Sequence, residues 1–383
     1  MTIGVFVAAG PIAIVRFSGR TGLGGLVFAL WSVSVAVGAQ LGGLIMDRSG
    51  RRPGLSLGQA LLAAASATAA LSVLNGSTVG VLGSAVVGGL GSGAALLGRA
   101  AVADMYPMEK RGVAVGFMLA AGTVGAIIGP QLVQLTGLLT HSGRASQLAA
   151  AWFITAAVSI VALGCVAALR PDPRDLAPPQ RVRPPTARRP FATLLQLPAL
   201  RAAILAIALA QLAMVGLMAI YSVALSARGI ALGVIALVLS AHFAGMFAFS
   251  PAWGVFLDRV GRRQVLLAGA ALVSIGALFI GLPAAAVSAA ALFLVGLGWS
   301  GSYVGATAVV SDLTTPAERG TVLGFTDLLS SGAGAVGALT AGVILASSGF
   351  QVAGVCACVV LLGALAVIVL VPHTSWRAKL ATA

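Results

Sequence analysis

Charge is what this chain of 383 residues most conspicuously lacks. Charged residues make up 8% of it, against about 25% in a soluble domain. Acidic residues number nine, and lysine occurs only at Lys110 and Lys379. With 59% hydrophobic residues and a mean hydropathy of +1.05, a soluble core has no room for the apolar sequence. Cysteine is almost missing too. Cys165, Cys356 and Cys358 lie in apolar stretches with no His or Cys partner at ligand spacing, so they read as packing residues and no metal site is expected. No nucleophile–base pair stands out, so an enzyme is not expected, and no cofactor. A phosphate-binding G-x-x-x-x-G-K-[ST] loop is absent, which argues against ATP as energy source. Alternating ten-residue segments are absent as well, which argues against a membrane β-barrel.

What is present is long apolar runs, many near the ~20 residues that cross a bilayer as a helix. Polar breaks define twelve: 1–17, 23–46, 53–74, 78–103, 112–139, 147–169, 200–226, 231–257, 264–282, 285–311, 320–346 and 351–371. The fold class is therefore an all-α integral membrane protein. Residues 170–191 read RPDPRDLAPPQRVRPPTARRPF, too rich in Pro and Arg for a membrane helix. The expected organisation is a six-helix bundle over 1–169, a linker over 170–199, and a second bundle with a short tail over 200–383. The first span is short, contains Pro11 and has no basic segment before it. A start upstream of Met1 and a genuine short start both fit, and no convincing signal-peptide cleavage site follows it.

The net charge of +14 would suggest nucleic acid in a soluble protein. In a membrane protein it reports orientation. Eighteen Arg and Lys fall in loops on the linker's side, and four (Arg16, Arg20, Arg144, Arg228) on the other. Basic residues gather in cytoplasmic loops, so the linker and C-terminus are expected in the cytoplasm of a multi-pass inner-membrane protein.

The few charges are clustered twice. Residues 46–52 read MDRSGRR and residues 257–263 read LDRVGRR, and Gly43 and Gly254 each stand four positions before the Asp. A second echo joins DMYPMEKRGVAVG (104–116) to DLTTPAERGTVLG (312–324). The chain is thus two copies of one six-helix unit, an arrangement found in many secondary transporters.

The doubled G-x-x-x-D-R-x-G-R-R pattern, after the second and eighth spans, resembles the signature of the major facilitator superfamily, and the resemblance extends along the whole chain. It implies that Asp47 and Asp258 approach the N-terminus of a helix in the opposite half, where free N–H groups favour an anion. The loops (Gly43, Asp47, Arg48, Gly50, Arg51, Arg52; Gly254, Asp258, Arg259, Gly261, Arg262, Arg263) would then form a cytoplasmic latch, with Asp104, Arg111, Asp312 and Arg319 as partners. The arginines could bind Asp104 and Asp312 or cytoplasmic lipid phosphates, and simple positive-inside anchoring is the alternative for Arg51, Arg52, Arg262 and Arg263. The resemblance also implies a monomer that moves a small molecule through the bilayer by alternating access.

Gly116, Gly125, Gly129 and Pro130 fit G-x8-G-x3-G-P, which resembles the fifth-helix motif of proton-coupled exporters in that superfamily. Val133 stands where the pattern ends in Gly. Positions 85–89, where such exporters carry a mid-helix Arg, hold no charge. Export driven by protons is the leading expectation. Proton-coupled uptake of a metabolite and a non-transporting sensor or scaffold of the same fold are the alternatives.

Ionisable residues inside a membrane are functional candidates. Asp327, His242 and Arg99 are the candidates for proton coupling, against packing, pairing or snorkelling. Trp31, Gln40, Gln131, Gln211, Met214, Met218, Tyr221, Trp299 and Tyr303 are the candidates for a solute cavity. Such a lining suits an amphipathic organic molecule better than a sugar or a small anion.

Overall fold

A computed structural model describes residues 1–105, 108–139, 143–173, 175–176 and 189–376. Twelve long helices take the places of the twelve spans: α1 Thr2–Ser18, α2 Leu26–Ser49, α3 Arg51–Leu74, α4 Thr78–Leu96, α5 Met108–Leu139, α6 Arg144–Ala167, α7 Pro198–Ala227, α8 in two pieces (Leu232–Phe247 and Ser250–Val260), α9 Arg262–Phe279, α10 Ala285–Leu313, α11 Pro316–Ser348 and α12 Phe350–Leu370. Among the described residues there is no strand. A short helix, Gly98–Met105, prolongs α4, and another, Phe191–Leu194, precedes α7.

The helix ends follow from local chemistry. Between α2 and α3 the chain turns at Gly50, φ 102°, and between α8 and α9 at Gly261, φ 93°. Side chains rarely adopt that backbone conformation, which is why both loop motifs need Gly there. The break in α8 falls before Pro251, which offers no N–H to the carbonyl of Phe247. Trp253 then ties the second piece to α10, its indole N–H donating to the Leu297 carbonyl at 3.0 Å.

Small residues let neighbouring helices touch backbone to backbone. A Cβ at Gly38 of α2 would collide with the Leu90 carbonyl of α4, and one at Gly93 of α4 with the Val35 carbonyl of α2. Each charged loop also sits over a small apolar cluster, Met46 with Leu55 and Ala101 in the first repeat, and Leu257 with Trp253 and Val265 in the second.

The chain forms two compact units, Met1–Arg181 with Ala219–Ser240, and Val182–Met218 with Ala241–Ala383. In this grouping the end of α7 and the start of α8 fall with the helices of the first repeat. Hydrogen bonds within the first unit explain this. Ser222 Oγ donates to the Val7 carbonyl at 3.5 Å, and Ser240 Oγ donates to the Ile127 carbonyl at 2.6 Å. Gln131 Nε2 donates to Ser240 Oγ at 2.9 Å.

Candidate functional site

The loop between α2 and α3 is built around a residue the sequence reading passed over. Both carboxylate oxygens of Asp172, just beyond α6, accept the first backbone N–H groups of α3, from Arg51 at 3.0 Å and Arg52 at 2.9 Å. That carboxylate satisfies two of the four otherwise orphaned donors of the helix end and faces the positive pole of the helix dipole. A Cβ at Gly50 would lie 2.7 Å from Asp172 Oδ2, a second reason for Gly at this place. Arg52 Nη1 donates to the Leu169 carbonyl at 3.4 Å, and Arg51 Nη1 pairs with Asp47 at 3.4 Å. Asp47 is 76% exposed, so that pair is solvent-screened. Asp172→Ala is expected to lose about 1–2 kcal/mol of stability, the usual worth of a cap. Thermal unfolding in detergent measures it, and an unchanged midpoint would contradict the capping role.

In the second repeat Arg262 Nε donates to Asp312 Oδ2 at 2.6 Å, and Arg263 reaches the end of α12, donating to the Val369 carbonyl at 3.0 Å. Asp258 is exposed. Arg319 donates to the Ser311 carbonyl at 2.9 Å. The side chains of Arg99, Asp104 and Arg111, and the surroundings of Gly116, lie outside the described residues.

A second node was also not anticipated. Glu318, in the first turn of α11, accepts from Arg189 N (2.9 Å), Arg189 Nε (3.0 Å), Arg189 Nη2 (2.8 Å) and Thr315 N (2.9 Å). Arg189 Nη2 also donates to the Leu313 carbonyl at 2.7 Å. The hydrogen bonds it donates to Glu318 hold the Arg189 guanidinium above its ordinary pKa despite some desolvation. The last residues of the linker are thus fastened to the α10–α11 corner. Below them Phe191 meets Phe325 edge-on at 5.0 Å, over a core of Leu194, Leu200, Ile204, Val310 and Val322. The signal for Glu318 was legible: Thr315-x-x-Glu318 is a helix-start pattern.

The solute-cavity candidates separate. Trp31 is buried against Phe6, ring centroids 5.0 Å apart, and Phe6 also meets Trp152. Met214, Met218 and Tyr221 are buried, and Gln40 is exposed. Gln131 is taken up by Ser240, as described. The second unit brings Gln211, Trp299 and Tyr303 together. The Trp299 indole N–H donates to Gln211 Oε1, its ring stacks on Tyr303 at 5.3 Å and 23°, and Phe247 meets it edge-on at 6.2 Å. All four side chains are partly exposed.

Of the coupling candidates, His242 is fully buried. Its Nδ1 lies 2.8 Å from the Leu292 carbonyl and must carry the proton, while Nε2 has no partner among the described residues. Asp327 lies on an exposed position of α11. In the fifth-helix motif, Gly129 is in close contact with the first turn of α1. A Cβ there would collide with the Met1 carbonyl and approach Gly4 Cα to 3.0 Å.

Comparison with known proteins agrees with this architecture. The sequence profile of the Major Facilitator Superfamily matches residues 1–227 and 203–382. The chain is 28% identical over 385 residues to the uncharacterized MFS-type transporter YddS of Bacillus subtilis (strain 168), covering 98% of this chain and 87% of that protein. It is 27% identical over 350 residues to the riboflavin transporter RfnT of Brucella anthropi, covering 91% and 86%. Its fold is similar to that of a D-xylose-proton symporter, with a TM-score of 0.74 at 17% identity over 98% of this chain and 96% of that one. The human organic anion transporter MFSD10 superposes with a TM-score of 0.63 at 19% identity, over 96% and 97%. A profile that spans nearly the whole chain and a loop motif repeated at the same point of each half place the protein in the Major Facilitator Superfamily of membrane transporters.

Proposed function

We propose that this transporter moves a planar, amphipathic organic solute out of the cytoplasm in exchange for protons. The observation that carries the solute class is the cluster of Gln211, Trp299, Tyr303 and Phe247. Stacked indole and phenol rings offer a flat apolar face, and the Gln211 amide offers a polar edge beside it. The transporter named for riboflavin, itself a planar heterocycle, is a relative in keeping with this class. Export is supported by the close packing of Gly129 and Pro130 of α5 on α1. Proton coupling would fall to His242, which can take a proton on its unpartnered Nε2, and to Asp327. The linker and C-terminus face the cytoplasm, and Asp47 and Asp258 act in the cytoplasmic latch with Arg51, Arg52, Arg262 and Arg263.

Uptake with protons is the second reading, favoured by the absence of a charge at positions 85–89 of α4. Everted membrane vesicles with an acidified lumen separate the two. Antiport accumulates riboflavin, as a fluorescent planar probe, in the lumen; symport drives it out. His242→Ala or Asp327→Asn is expected to flatten the pH dependence of transport. If both variants keep the wild-type profile, coupling resides elsewhere.

A further inference from the structure

The two repeats treat equivalent helix ends differently. In the first, the segment after α6 begins Arg170-Pro171-Asp172, and Asp172 ligates the N–H groups of Arg51 and Arg52. In the second, the segment after α12 begins Val371-Pro372-His373. An imidazole stands in the sequence where the carboxylate stood, and among the described residues no side chain is seen to accept from the N–H groups of Arg262 and Arg263. In place of the missing carboxylate there is a 380 Å³ pocket lined by Arg262, Arg263, Gln264, His373 and Trp376 among others. Asp312, also in its wall, is engaged by Arg262. The indole N–H of Trp376 has no partner among the described residues.

A second cavity is lined by the same two helices. It is an apolar groove of 520 Å³ beside the break in α8, lined by Ala252 and Phe256 of α8 and Ala268 and Leu272 of α9. Ala252, Phe256 and Val260 follow one another at intervals of four residues, as do Gln264, Ala268 and Leu272 in α9. Each set is one stripe of a helix, so the apolar groove runs one turn further into the basic pocket. Apolar length ending in donors and positive charge is the complement of an acyl chain ending in a phosphate.

We propose that this continuous α8–α9 groove is a phospholipid site, in which the lipid phosphate takes at α9 the place that Asp172 takes at α3 and an acyl chain lies along Phe256 and Ala268. The lipid would complete the second repeat as the chain's own carboxylate completes the first.

The test uses purified, delipidated full-length protein and follows thermal unfolding and native mass spectra on adding phosphatidylglycerol, phosphatidylcholine with the same chains, or inorganic phosphate. Phosphatidylglycerol is expected to bind and raise the unfolding midpoint. Arg263→Gln is expected to weaken that binding by about fivefold, the share of one basic residue near a lipid headgroup. His373→Asp restores the carboxylate, and is expected to unfold without lipid as late as the wild type does with it and to gain nothing from added lipid. Should Arg263→Gln fold poorly, His373→Asp still decides. Equal stabilisation by inorganic phosphate would overturn the lipid assignment. An equal response to phosphatidylcholine would overturn the role of the basic pocket, and an undiminished lipid response in His373→Asp would overturn the equivalence with Asp172.

Discussion

Glu318→Ala is expected to cost about 3 kcal/mol of stability, the low end of what breaking a buried ion pair costs. The Glu318 side chain is 2% exposed, yet it accepts four hydrogen bonds, two of them from the backbone. Its removal strands the Thr315 and Arg189 N–H groups at the start of α11, each costing about 1–3 kcal/mol if left buried. The Arg189 side chain is 43% exposed and can turn to water, which keeps the loss from being larger. Glu318→Gln retains one acceptor oxygen and should lose roughly half as much. Arg189→Ala leaves the carboxylate its two backbone donors and should also fall between, so the double variant will show coupling between the sites. Unfolding midpoints in detergent measure all four proteins. Wild-type stability in Glu318→Ala would show that the linker's end is not fastened there.

The other large effect concerns solute. Trp299→Ala is expected to weaken binding of a planar solute by about tenfold or more, since stacking of a flat heterocycle on an aromatic side chain contributes ~1–3 kcal/mol. Trp299→Phe keeps a ring against Tyr303 but loses the donor to Gln211, so it should retain most of the affinity. Riboflavin fluorescence quenching provides the measurement. If Trp299→Ala binds riboflavin as tightly as the wild type, the cluster is packing and the solute seat lies elsewhere.

Hydropathy and the internal repeat made most of the architecture legible. Long apolar runs have only one way to satisfy their backbone in lipid, and the charged loops between them mark where the helices end. Side-chain placement was far less legible. Trp31 and Tyr221 looked like cavity residues but are buried. The reason is physical: in a helix surrounded by lipid and other helices, both faces are apolar, so periodicity does not tell a buried face from a cavity. Gln211 and Trp299 were each singled out, but their meeting depends on the packing of α7 on α10. Asp172 was missed because its partner lies 120 residues away in sequence; for Glu318 the local cap to Thr315 was legible, but its pairing with Arg189, 129 residues away, was not.

The cap on α3 also has a consequence in time. Synthesis runs from N- to C-terminus and domains fold as units along the way, but the first turn of α3 is made 120 residues before Asp172. That first turn must wait, uncapped, until α6 has been inserted. The first unit waits longer still, because Ala219–Ser240 belongs to it. The amino-terminal half therefore matures only when part of the carboxy-terminal half has been made, and a nascent chain arrested inside the linker would present an unfinished bundle to the insertion machinery.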